Sequence, residues 1–134
     1  MKYMLILAGE EGGMEDVSPE EMKAVMDRWS AYGQELVDAG AFIAGEGLQE
    51  SETATTVRIS DDGERLVTDG PFAETKEQVG GFYVIECADL DEAIEWAKKV
   101  PLQGGGIEVR PVMDYTQYGY EDPQTAATTA EASS

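Results

Sequence analysis

Hydrophobic and polar positions along the chain follow two periods, one typical of strands and one typical of helices. Six short runs have the length and composition of β-strands. They cover residues 2–8, 41–48, 53–60, 64–68, 79–87 and 107–113. Apolar residues recur every three or four positions over residues 19–39 and 89–99, which predicts two amphipathic helices.

Both predicted helices have clear start signals. Ser18 precedes Pro19, and Glu21 completes the spacing of a capping box, while Gly40 supplies the stop. In the second helix, Asp89 takes the capping position and Pro101 limits its extension. The long first helix is therefore the most strongly indicated element in the chain.

The order of elements predicts an α+β fold. We summarise it as β-α-β-β-β-α-β, a ferredoxin-like antiparallel sheet with both helices on one face and an extra hairpin at residues 61–63. A sheet covered on one face should alternate apolar and polar residues. Residues 3–7 and 82–85 are instead apolar at every position, so both faces of these strands are apolar. The uncovered face therefore also needs burial, and we expect a homodimer that packs sheet against sheet.

Composition excludes several classes of partner. The 134 residues carry 28 acidic and 9 basic side chains, a net charge of −19, which disfavours direct binding to nucleic acid or anionic membranes. The single cysteine, Cys87, suits a reducing compartment, and no segment is long and apolar enough to span a membrane. We expect a cytoplasmic protein.

The chain has no histidine, so acid–base chemistry would require another side chain. We predict no cofactor and no metal site. The acidic loop of Glu10, Glu11, Glu15 and Asp16 lacks the regular ligand spacing of a calcium loop and is interpreted as a solvated surface.

The segment TDGPFAETKEQVGG, residues 68–81, contains more aromatic and charged residues than a simple turn needs. In one interpretation it is structural: a turn anchored in the core by its phenylalanine, with a charged rim. In the other it lines a ligand pocket at the dimer cleft, because loops on a rigid sheet often carry function. The residues concerned are Asp69, Gly70, Pro71, Phe72, Glu74 and Lys76.

Residues 54–86, which contain the string DGPFAETKE, resemble the DGPF branch of the YCII-related proteins, as do EVRPV at 108–112 and the opening KYMLILAG. The resemblance covers residues 1–113, which we take as the domain. It implies a dimeric α+β barrel, a poorly characterised function and an association with extracytoplasmic-function sigma factors. It also implies that a few wider relatives are enzymes, including a dehydrochlorinase that acts on a chlorinated aromatic.

Those wider relatives are thought to use a histidine–aspartate pair. Carried onto this chain by spacing from Gly40, the aspartate falls at Asp38 and the histidine position holds Trp29. Because half of the pair is missing, the resemblance does not carry the relatives' mechanism to this chain.

Other candidate residues lie on the predicted strands. Arg58 and Arg110 would need carboxylate partners, either internal ones such as Asp69 or Glu86, or an anionic ligand. Tyr83 is expected to pack in the core and also borders the pocket of the functional interpretation. Cys87 is interpreted as an inert core residue.

Residues 114–134 form a C-terminal extension. It begins with three tyrosines that could anchor it on a second copy, and a polar segment from residue 121 is predicted to be disordered. The tyrosines are Tyr115, Tyr118 and Tyr120.

Three functions remain open. The first is a non-catalytic, dimeric domain that binds a small anionic or aromatic ligand or regulates a partner. The second is a lyase or isomerase that uses Asp38, Asp69, Glu74 or Glu86 as its base, with an arginine holding the substrate. The third is a purely structural dimerisation module. A carboxylate in an enclosed pocket without a cationic partner would favour the enzyme.

Overall fold

Six strands and two α-helices follow one another in the order β-α-β-β-β-β-α-β in a computed structural model that describes residues 1–13 and 15–121. The strands are β1 (Lys2–Gly9), β2 (Phe42–Gly47), β3 (Thr55–Ile59), β4 (Arg65–Asp69), β5 (Gln78–Glu86) and β6 (Gly106–Pro111). The helices are α1 (Pro19–Asp38) and α2 (Leu90–Lys98). Short 3₁₀ turns follow β2 and β6, at Ser51–Thr53 and Tyr115–Tyr118.

Both helices begin as their capping residues predict. The Oγ atom of Ser18 accepts a hydrogen bond from the N–H of Glu21 at 3.1 Å. Asp89 Oδ1 accepts from the N–H of Glu92 at 2.9 Å. After α1 the chain turns at Gly40, whose φ of 70° lies in the left-handed region that glycine tolerates best.

The main sheet has four strands in the order β2-β5-β1-β6, and all of its pairings are antiparallel. This arrangement is compatible with the ferredoxin-like fold. All six predicted strands are present, although the summary β-α-β-β-β-α-β wrote out only five and added the hairpin separately. The hairpin leaves the main sheet, and β3 pairs with β4 alone as a separate two-stranded sheet.

The core lies between the main sheet and the two helices. Tyr3, Leu5 and Leu7 of β1 are buried on this side, together with Ile85 of β5. The helices contribute Tyr32 and Leu36 from α1 and Ala93 and Ala97 from α2. Both helices therefore pack on the same face of the sheet.

The opposite face of the sheet is also apolar at its centre. Strand alternation places Met4 and Ile6 of β1 there, and the register pairs them with Val84 and Phe82 of β5. All four side chains are half-buried. This arrangement explains why β1 and β5 carry apolar side chains on both of their faces.

The hairpin of β3 and β4 is apolar and exposed. Val57, Ile59, Leu66 and Val67 are each more than half exposed. Only Thr56 is buried, and its hydroxyl donates to the carbonyl of Gly70 at 2.6 Å. The hairpin is therefore held mainly at its base.

The described residues include no helix that is long and apolar enough to cross a membrane. The three tyrosines after β6 are all more than half exposed. Most of the tail that we predict to be disordered, residues 122–134, lies outside the described residues.

Candidate functional site

The loop that carries the DGPF string is held at its start by hydrogen bonds to the backbone and side chains next to β3. Gly70 has a φ of 99°, in the left-handed region, and its N–H donates to the carbonyl of Ala54 at 2.8 Å. Its own carbonyl accepts the hydroxyl of Thr56. These bonds fix the loop to the start of β3, as the structural interpretation of the turn requires.

Phe72 does not anchor this loop in the core, so that part of the structural interpretation is wrong for the single chain. Its side chain is 71% exposed. The guanidinium carbon of Arg58 lies 4.9 Å from the centre of the Phe72 ring, and Arg58 Nη2 donates to the Phe72 carbonyl at 2.7 Å. Arg58 thus contacts a ring and a carbonyl, whereas an internal carboxylate such as Asp69 or Glu86 was the expected partner.

Four residues of the predicted pocket, Gly70, Pro71, Glu74 and Lys76, line one cleft of about 540 Å³, which we call the DGPF cleft. Across it lie Glu10, Glu11 and Ser51, and the chain already satisfies several of these charges. Lys76 Nζ is 3.1 Å from Glu10 Oε1, and the two oxygens of Glu11 accept from the N–H and hydroxyl of Ser51. Arg58 and Phe72 do not line this cleft, so the predicted site is divided between two places.

The remaining candidates lie apart from one another. Asp38 accepts a hydrogen bond from Gln34 on the surface of α1, at 2.8 Å. Glu86 pairs with the amino group of Met1, also at 2.8 Å. Arg110 is exposed on β6 opposite Met4, and Asp69 ends β4. These groups do not form one catalytic cluster.

Trp29 separates two further clefts at the end of the sheet where β1 finishes. One, of about 380 Å³, lies beside β2 and is lined by Met26, Trp29, Tyr83 and several glycines; we call it the β2-side cleft. The other, of about 460 Å³, lies beside the loop that enters β6 and is lined by Arg28 and Trp29; we call it the β6-side cleft. Both volumes fall in the range of small-molecule sites.

Glycines create the space in the β2-side cleft. A methyl group at Gly45 would lie 2.7 Å from the ring of Tyr83, so only glycine lets that ring occupy its present position. A side chain at Gly47 would meet no atom within 4 Å. Because Gly47 pairs with Gly81, and Gly81 with Leu7, its side chain would extend toward the helices and into this space.

Tyr83 belongs to a short row of aromatic rings. Its ring contacts that of Tyr32 edge to face at 5.3 Å between centroids, and Tyr32 contacts Trp96 in the same way at 6.3 Å. Desolvation by burial raises the pKa of the Tyr83 phenol, which therefore stays a neutral hydrogen-bond donor at physiological pH. Within the described residues its hydroxyl makes no hydrogen bond.

Cys87 is a free, buried thiol, as predicted. Burial raises its pKa, which disfavours the reactive thiolate.

Trp29 was considered above only as the residue at the relatives' histidine position, and Arg28 was not among the candidates. The available signal was the concentration of glycines at strand ends, at positions 45, 47, 80, 81, 104 and 105. All six line one or other of the two clefts beside Trp29.

Comparison with known proteins identifies the family. The model of the YCII-related domain matches residues 1–116. The chain belongs to the YCII-related family. This YCII-related protein is also 41% identical over 118 residues to "Uncharacterized protein R00369" of Rhizobium meliloti (strain 1021), with 86% of this chain and 94% of that protein covered. The relative is itself uncharacterised, so neither comparison supplies an activity.

Proposed function

We propose that this YCII-related protein binds a small, planar and mainly apolar molecule in the β2-side cleft. The supporting observation is the wall of this cleft, where Trp29 and Met26 of α1 face a sheet end built from glycines. Aromatic and glycine surfaces of this kind suit the flat face of a ring. The neutral phenol of Tyr83 would give such a ligand one hydrogen-bonding group.

Binding is better supported than catalysis. The four carboxylates considered as bases, Asp38, Asp69, Glu74 and Glu86, do not line either cleft beside Trp29. A proton-transfer enzyme would need an enclosed carboxylate within hydrogen-bond reach of its substrate, and the carboxylates that do line these clefts, Glu10, Glu46 and Glu77, are exposed to water. A lyase or isomerase therefore remains the weaker alternative.

The proposal is tested by following the indole N–H signal of Trp29 by NMR. Substitution Trp96→Phe leaves Trp29 as the single tryptophan, because the chain has two. Neutral planar probes such as 1-naphthol, indole and quinoline should shift this signal in a saturable way. A panel that gives no saturable shift would contradict the proposal.

Gly47→Val supplies the decisive variant, since a branched side chain there would fill the β2-side cleft. Gly106→Val is the matched control: it is also a strand glycine with nothing within 4 Å of its added Cβ, and it lines neither cleft beside Trp29. Probe binding should be lost in the first variant and kept in the second. Equal binding in both would place the probe elsewhere.

We further propose that the protein is a homodimer joined through the uncovered face of the sheet. Met4, Ile6, Phe82 and Val84 at the centre of that face support this, because exposed apolar sheet surface favours association. Sedimentation equilibrium tests it, and a monomer at micromolar concentration would contradict it. The exposed tyrosines after β6 are proposed to contact the second copy.

The assignment to the DGPF branch rests on the string DGPFAETKE. Association with extracytoplasmic-function sigma factors stays a prediction that rests on the resemblance alone.

A further inference from the structure

The β6-side cleft contains an arginine without an ion-pair partner in an otherwise acidic protein. Arg28 forms no ion pair and no hydrogen bond with the described residues. Its own helix cannot supply one at the usual spacing, because positions 24, 25, 31 and 32 hold Ala, Val, Ala and Tyr. The adjacent Asp27 is already paired with Lys23 at 3.0 Å.

The opposite wall of the cleft adds neutral donors. Gln103 and Gly104 line it, and their backbone N–H groups donate to no acceptor in the described part of the chain. Glycine-rich loops with free N–H groups are common anion sites. Arg28 and the Gln103–Gly104 segment therefore line the same cleft.

Much of the remaining lining is apolar. Val25, Trp29, Pro101 and Leu102 surround the polar groups. A hydrated phosphate would gain little from these surfaces, whereas a ring carrying a carboxylate would use both the apolar wall and the planar guanidinium.

We propose that the β6-side cleft binds a small aromatic carboxylate, with its ring against Trp29 and its carboxylate at Arg28 and the Gln103–Gly104 backbone. This site is separate from the β2-side cleft and does not depend on occupation of that cleft.

Two acidic side chains also line the β6-side cleft and oppose an anion. Glu10 is neutralised in part by Lys76, 3.1 Å away. Glu77 has no ion pair within the described residues. The proposal therefore makes a second, opposite prediction: Glu77→Gln should strengthen carboxylate binding while Arg28→Gln weakens it.

The test compares benzoate with benzamide, a neutral molecule of nearly the same shape, by NMR of the Gly104 amide and the Trp29 indole. Benzoate should bind at least about tenfold more tightly than benzamide, the low end for a charge-assisted contact because the cleft is open to water. Arg28→Gln should remove this preference. Arg65→Gln, which deletes the same charge from the exposed hairpin, should preserve it.

Several results would overturn the proposal. Equal affinity for benzoate and benzamide would exclude carboxylate recognition, and an unchanged preference in Arg28→Gln would exclude Arg28. Inorganic phosphate that displaces benzoate at equal concentration would show a general anion site. Because Gly47→Val should block 1-naphthol and leave benzoate binding unchanged, failure of this site can be distinguished from failure of the β2-side cleft.

Discussion

Gly105 holds the closest backbone contact at the β6-side cleft, and Gly105→Ala should destabilise the protein strongly. An added Cβ would overlap the carbonyl oxygen of Ala8 and lie 2.7 Å from the Cα of Gly9. The residue also has a φ of 80°, where an L side chain is strained. The loop before β6 would have to move away from the end of β1.

The cost of the left-handed conformation and the cost of the steric overlap can be added to give an approximate loss of stability. The left-handed conformation costs about 1 kcal/mol for alanine. Forcing an extra carbon into a closed contact costs about 1–3 kcal/mol. The expected loss is therefore about 2–4 kcal/mol, which corresponds to a melting temperature lower by about 10 °C for a domain of this size.

Gly104→Ala is the matched control. It is the adjacent residue, it has no positive φ, and a Cβ there meets no atom within 4 Å. Urea unfolding monitored by circular dichroism should give nearly the wild-type midpoint for this variant and a much lower midpoint for Gly105→Ala. Equal midpoints for the two variants would refute the reasoning from the contact at Ala8.

Two further predictions concern single hydrogen bonds. Tyr32→Phe removes the hydroxyl that donates to the Trp96 carbonyl at 2.9 Å and should lower the free energy of unfolding by about 1–2 kcal/mol. Tyr118→Phe, in an exposed ring, is the control and should change it by almost nothing. Equal urea midpoints for the two variants would contradict this prediction. The Ser60 hydroxyl is the main group that lowers the pKa of Asp62 in the folded protein. The ionised carboxylate of Asp62 therefore stabilises the folded protein at neutral pH, and this contribution is lost as the pH falls through the pKa of Asp62 in the folded state. Ser60→Ala should return that pKa toward its ordinary value in an NMR titration of the carboxyl carbon, and an unchanged titration would show that another group is responsible.

The elements of the main sheet and both helices could be predicted because their signals are local. Ser18 and Asp89 cap helices through bonds to residues three positions away, and apolar periodicity follows directly from strand and helix geometry. The separation of the hairpin could not be predicted in this way. Val57 and Val67 are β-branched, as residues of a core strand often are, so composition does not distinguish the hairpin from the main sheet. Only the pairing of β2 with β5 shows that β3 and β4 lie outside that sheet.

The site was harder to predict because it depends on spaces between distant segments. Phe72 was expected either to anchor the DGPF loop in the core or to line a pocket, yet its side chain is exposed and stacks with Arg58. Trp29 fits the apolar stripe of α1 equally well as a core residue or as the wall of a cleft. Its role follows from the glycines that face it, which are 16 to 76 positions further along the sequence at Gly45 and Gly105.

The hairpin and the DGPF loop leave the main sheet and return to it at one point. The N–H of Leu48 donates to the carbonyl of Gly80 at 2.9 Å, so the segment between them begins and ends at one place. Gln78 and Val79 at its end belong to β5 and pair with β1, whereas β2 and β5 pair without residues 49–77. Residues 49–77 are therefore an excursion whose length the sheet does not constrain. This position is suited to exchanging the loop between relatives or to carrying an inserted reporter.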